Sequence, residues 1–173
     1  MKSSKILVVL ATLALCVFSL SYVVLGQEKA TAQEIVKTVQ DAAAALAKTG
    51  EPGLADFGKK APPWVWKDTY IFVLDCTKGV MAAHPMKPEL VGKDVLGMKD
   101  TKGTLFFGQL CEAAKKPSGV WVEYWWPKPG QTEGSRKISY ALKAGETPYV
   151  VGAGIYDDNA TTSDLAKLAG GGK

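Results

Sequence analysis

Two apolar patterns divide the first fifty residues. Residues 6–25, ILVVLATLALCVFSLSYVVL, run without a single charge after the basic start MKSSK. From residue 31 the pattern becomes periodic instead. Ile35, Val39, Ala42, Ala43 and Leu46 recur at helical spacing, while Glu34, Lys37, Asp41 and Lys48 lie mostly on the other side. Thr31-Ala32-Gln33-Glu34 fits a capping box, in which threonine and glutamate satisfy each other's free backbone N–H groups. Gly50 is a stop signal. The prediction is one amphipathic helix of about five turns, with an alanine-rich face suited to close packing on a sheet.

Beyond residue 50 the period shortens to that of strands. Residues 51–67 form a connector with Pro52, Gly53, Pro62 and Pro63, and carry Trp64 and Trp66, which are costly to leave in water. Residues 70–74 are apolar without interruption, 75–79 read as a turn, and 80–84 return antiparallel. A uniformly apolar strand is covered on both sheet faces. The amphipathic helix can cover one. Residues 85–102, punctuated by Pro85, Pro88, Gly92 and Gly97, read as a long loop of the length that is often functional. Phe106, Leu110, Ala113 and Ala114 follow as the stripe of a short helix ended by Pro117. This loop and helix are the natural cover for the second face. Strands are predicted over 119–126, 136–142 and 148–156. Gly152 and Gly154 fall on one face of the last, where missing side chains let a helix or ligand come close. Residues 160–173 read as a short flexible tail. The order of elements gives an α+β domain.

Length and charge add limits. The chain has 173 residues and a net charge of +4, enough for one domain with a real core and without the basic stripe a nucleic-acid binder needs. The basic start and apolar run make residues 1–26 a secretory signal peptide. Their length also suits an uncleaved membrane anchor. Leu13-Ala14-Leu15-Cys16 is a poor lipobox. Either way the folded part, residues 27–159, lies outside the cytoplasm, in the periplasm or extracellular space. Cys76 and Cys111 then remain. In an exported protein they fit a disulfide, with two buried thiols as the alternative.

Several short motifs occur in a recognisable order. They are Tyr70-Ile71-Phe72-Val73-Leu74-Asp75, Gly79, Ala83-His84-Pro85 and Leu90-Val91-Gly92-Lys93-Asp94. Then come Val122-Glu123-Tyr124 with Trp126-Pro127, Lys137-Ile138-Ser139-Tyr140, and Gly152-Ala153-Gly154-Ile155-Tyr156-Asp157-Asp158. Together they resemble the extracytoplasmic single Cache domain, a PAS-like sensor fold of bacterial chemoreceptors and histidine kinases. The resemblance spans about residues 31–159. It implies a five-stranded antiparallel sheet with the long N-terminal helix on one face. It also implies a small-molecule pocket on the other face, under the loop and short helix. Relatives of this kind resemble binders of acetate, propionate, lactate or pyruvate. No apolar span follows Asp158, so the chain is expected to bind its ligand freely or to pass its state to a membrane receptor or kinase.

Candidate ligand-binding residues follow from both lines. His84, the single histidine, should sit at a strand end where the cover loop begins, as a structural residue or a pocket lining. Val122, Tyr124 and Trp126 share one strand face, and the resemblance directs Tyr124 and Trp126 to the pocket; core packing is the alternative for both. Lys137, with Arg136 beside it, could hold a carboxylate by charge-assisted hydrogen bonds, or lie at a solvated strand end. Tyr140 is a further polar candidate. Asp157 and Asp158 read as caps of the strand end. No catalytic residues, metal ligands or cofactor are expected, since one histidine and scattered acids supply no nucleophile–base pair or metal cluster. The expected function is a non-catalytic sensor-type module for a small organic acid, a carboxylate rather than an amine. The alternative is an interaction subunit that docks on a membrane receptor or kinase and has no ligand of its own.

Overall fold

The structure, a computed structural model, describes residues 28–169. The apolar leader, with Cys16, lies outside them. Among the described residues no helix is long and apolar enough to cross a membrane.

Helix α1 (Ala32–Thr49) begins at the expected capping box. Glu34 N–H donates to Thr31 Oγ1 at 3.2 Å, and Thr31 N–H donates to Glu34 Oε2 at 2.8 Å. It ends at Gly50, whose φ of 60° places it in the left-handed region that glycine tolerates. Ile35, Val39, Ala42 and Leu46 are fully buried on its inner face. A one-turn helix α2 (Leu54–Phe57) and a small hairpin of β1 (Val65–Trp66) and β2 (Thr69–Tyr70) lead into the sheet. Trp64 and Trp66 pack half-buried on the α1 side.

The main sheet contains β3 (Phe72–Asp75), β4 (Val80–Ala83), β5 (Val120–Pro127), β6 (Gly134–Lys143) and β7 (Tyr149–Ile155), in the order β4-β3-β7-β6-β5 and antiparallel throughout. Two hairpins, β3–β4 and β5–β6, lie on either side of β7, which pairs with β3 and with β6. The β3–β4 turn is built by Asp75, whose Oδ1 accepts the N–H groups of Thr77 and Lys78. All seven residues of β7 are buried, because the central strand is covered on both faces. Helix α1 packs with Ile71, Val73, Ile138, Tyr140, Val151 and Ala153 on one face.

Residues 85–119 cover the other face. After β4 the chain folds back along that edge: Gly92 N–H donates to the Met81 carbonyl, and Met81 N–H to that of Lys93. Asp100 then ties the loop to β5 by accepting the N–H groups of Lys102, Thr104 and Trp125. Burial opposes ionisation of this carboxyl, but the three donors outweigh it and hold its pKa below the ordinary value. Helix α3 (Phe107–Cys111) follows, and Cys111 forms a disulfide with Cys76 in the β3–β4 turn, with the Cα atoms 5.5 Å apart. The cap is thus fastened at both ends.

One boundary differs from the sequence reading. Residues 160–173 were expected as a flexible tail, whereas Thr162–Ala169 form helix α4. Thr161 Oγ1 caps it by accepting Asp164 N–H, and Leu165 buries itself in the α1-side core. A cap and one apolar anchor are enough to dock two turns that would not hold alone. The domain therefore extends at least to Ala169.

Candidate ligand-binding site

The face of the sheet opposite α1 meets the cap around a small cavity. Tyr70, Phe72, Met81, His84, Phe106, Phe107, Tyr124, Trp126 and Lys137 line it and fill it closely, leaving a free volume of about 10 Å³, room for about one water. The pleat decides which residues take part, since successive strand side chains point to opposite faces. On β5 the alternation sends Val122, Tyr124 and Trp126 toward the cap. On β6 it sends Lys137 and Ser139 the same way, while Ile138 and Tyr140 face α1.

The walls are aromatic and mutually packed. Phe106 stacks on Tyr124 with ring centroids 4.0 Å apart and planes 7° from parallel. Phe107 meets Trp126 edge-on. The Trp126 indole N–H donates to the Tyr70 hydroxyl at 2.9 Å, and the Tyr124 and Ser139 hydroxyls share a hydrogen bond of 2.8 Å. Burial pushes the phenols of Tyr70 and Tyr124 well above the ordinary tyrosine range, so both stay neutral.

His84 stands at the end of β4 with its ring against Tyr70 and Trp126. Its Nδ1 accepts the Lys87 backbone N–H at 2.9 Å, so the ring proton of the neutral form sits on Nε2. Burial first, then the positive charges of Lys137 and Lys87, push its pKa down to about 3. The ring is a neutral donor at any ordinary pH.

Lys137 is the unusual group. It is 0 % exposed, and its Nζ has no hydrogen-bond partner. The ammonium lies instead over aromatic faces, 4.3 Å from the Tyr70 ring centroid, 5.2 Å from Tyr156 and 5.7 Å from Phe72. Burial pulls its pKa down to about 7, against the opposing charge of Asp68. Three aromatic faces recover part of the hydration an ammonium loses, but they are no substitute for an acceptor. Space for the lysine comes from β7. A Cβ on Gly154 would lie 2.8 Å from Lys137 Cε and 2.3 Å from Ser139 Oγ, and one on Gly152 would run into the Phe72 ring.

The structure brings together four of the five residues singled out from the sequence: His84, Tyr124, Trp126 and Lys137. Tyr140 is not among them. It stands three positions from Lys137 on the same strand, an odd number, so it faces α1 and donates to the Ser118 carbonyl. Arg136 is likewise committed elsewhere, pairing with Glu123 and donating to the Asp157 and Ala160 carbonyls. Asp157 caps its own turn through Asn159 N–H. Sequence reasoning missed Tyr70, Phe72, Met81, Phe106 and Phe107 as cavity linings. Tyr70 and Phe72 could have been found, since they share the parity of alternate aromatic positions within an apolar run. The histidine, cysteine, aspartate and glutamate side chains form no group of three or more able to hold a metal ion among the described residues.

A helix-backed antiparallel sheet whose free face is capped over a small aromatic cavity defines a PAS-like sensor module. The chain belongs to the Cache family: the Cache domain model matches residues 65–161, more than half of its length. Among curated proteins it is 30 % identical over 101 residues to the methyl-accepting chemotaxis protein McpP of Pseudomonas putida. That match covers 58 % of this chain and 18 % of the receptor, so the chain spans about a fifth of that relative. Among solved structures it resembles the periplasmic sensor domain of a chemotaxis protein, with a TM-score of 0.56 at 28 % identity, covering 71 % of this chain and 88 % of the other. A Cache chemosensory domain described for carboxylic acid recognition gives a TM-score of 0.54 at 25 % identity, covering 71 % and 86 %. The fold class and the extracytoplasmic setting expected from the sequence agree with these neighbours.

Proposed function

We propose that this domain is a non-catalytic periplasmic sensor module that binds a small organic acid in the capped cavity, with Lys137 as the counter-ion of the carboxylate. The observation that carries the reading is the fully buried Lys137 Nζ with no acceptor. An unpaired buried cation is costly, and such groups concentrate where a ligand completes them. A carboxylate entering the cavity would supply the missing acceptor, in a medium where charge-assisted hydrogen bonds are strong. The His84 Nε2–H would be a second donor, and the aromatic rings would hold the alkyl part. A cationic amine would meet the like charge of Lys137. The free volume is about that of one water, so an entering acid would have to displace side chains of the cap, which costs least for an acid of few carbons. A solved Cache domain described for carboxylic acid recognition, which this chain resembles, supports the reading. The bound state would pass to a receptor or kinase partner.

The test is thermal melting of the purified protein against acetate, propionate, lactate and pyruvate, with small amines alongside. An acid present at 100 times its dissociation constant should add about 2.7 kcal/mol, or roughly 5–10 °C. No shift with any acid would sink the organic-acid reading and leave a docking module without a ligand. A shift with amines alone would reverse the polarity.

A further inference from the structure

We propose that Lys137 takes up a proton from solvent as the acid anion enters, so that the domain reads the carboxylate and the acidity of its surroundings together. This rests on the reading of the cavity as an anion site and deepens it.

The geometry carries the argument. An ammonium at this position faces carbon and neutral dipoles from every element packed around it. Strand β2 presents the Tyr70 ring, β3 the Phe72 ring, and the end of β7 the Tyr156 ring. Tyr124 on β5 and Ser139 on β6 satisfy each other. His84, at the end of β4, has its acceptor nitrogen occupied by the Lys87 N–H. From the cap, Phe106 and Phe107 contribute only carbon. The one carboxylate whose charge acts on Lys137 among the described residues is Asp68, and its Oδ1 already accepts the Ala30 N–H. Another cation, Lys87, acts on His84 and holds its Nζ 5.4 Å from the Trp126 ring centroid.

Such surroundings hold the Lys137 proton far less firmly than water does. Burial brings the Lys137 pKa to about 7. The tyrosines and the histidine around it stay uncharged at neutral pH: Tyr70, Tyr124 and Tyr156 are pushed up by burial, and His84 is held down at about 3. A carboxylate arriving beside the neutral amine would put an unmatched charge into the site. A carboxylate arriving with one proton on Lys137 brings in no net charge, and the pair supplies each partner's hydrogen bond. The balance is simple: anion, amine and a solvent proton become an ammonium–carboxylate pair, with no covalent bond made or broken.

Titration calorimetry of the full chain with propionate at pH 6, 7 and 8 tests this, each run in two buffers of different ionisation heat. The acid itself is ionised across that range. The expected uptake is about 0.1, 0.5 and 0.9 proton per ligand, with affinity falling about tenfold from pH 6 to pH 8. Lys137→Arg fixes the charge, so a variant that binds should show a Kd flat over the same range. Propionate binding with unchanged Kd and no buffer dependence would overturn the coupling and leave the anion site intact. A pH slope retained in Lys137→Arg would also overturn it. Absence of binding by propionate and by the other three acids overturns both readings.

Discussion

Replacing Lys137 by methionine should make the unliganded domain more stable while abolishing its response to acids. Methionine keeps an unbranched chain of similar length in the gap left by Gly154, and its soft thioether suits the aromatic surroundings. What is lost is an ammonium with no acceptor. The descent of the lysine pKa from 10.5 to about 7 sets the scale. At about 1.4 kcal/mol per pH unit, holding the charged form in the fold costs roughly 4 kcal/mol at pH 7. Because the folded value lies below the unfolded one, this cost is complete below pH 7. It fades as the pH rises from 7 toward 10.5. Urea unfolding of the unliganded proteins should therefore find Lys137→Met more stable by about 2–4 kcal/mol at pH 6–7. That advantage should shrink by about 2 kcal/mol by pH 9. A variant less stable than the parent by more than about 1 kcal/mol at pH 7 would show that Nζ has a partner worth a hydrogen bond. A gap that does not narrow by pH 9 would show that the lysine is not poised near neutrality.

Three further outcomes probe the frame around the lysine. Gly154→Ala should cost about 1–3 kcal/mol and blunt the acid-induced melting shift, because the new methyl group meets Lys137 Cε, Ser139 Oγ and the Ile138 carbonyl; an unchanged melt would mean the strand yields there. Cys111→Ser opens the link across 35 residues and should lower stability by about 3–4 kcal/mol in the chain-entropy model; weaker acid binding should accompany it, since α3 carries Phe107 and follows Phe106. Tyr140→Phe should lose about 1 kcal/mol with its bond to the Ser118 carbonyl and leave the acid response intact; a lost response would contradict the facing of β6.

Most of the frame was legible because local rules and global packing agree. The capping box and the period of Ile35, Val39, Ala42, Ala43 and Leu46 define α1 with no help from the rest of the chain. The unbroken apolar run before Asp75 requires covers on two faces, and both are present. Helix α4 was not legible: a single buried leucine in a small-residue segment gains its meaning only from the core it docks against. Tyr140 was misjudged for a different reason. The motif around Lys137 drew both residues to the pocket, although the two-residue period of a strand separates them.

The sequence by itself determined the α+β order of elements, the positions of the turns, and the pool of aromatic and cationic residues from which a site could be made. Those follow from periods of 3.6 and 2 and from turn chemistry, which act over a few residues. Only the tertiary structure decided that Lys137 would be sealed among Tyr70, Phe72 and Tyr156 with no acceptor, rather than lie at a solvated strand end. Those rings come from the chain on either side of β6, and β7 lies between β3 and β6 in the sheet. Burial of a charge is a property of what distant segments bring to it, and no local pattern contains that.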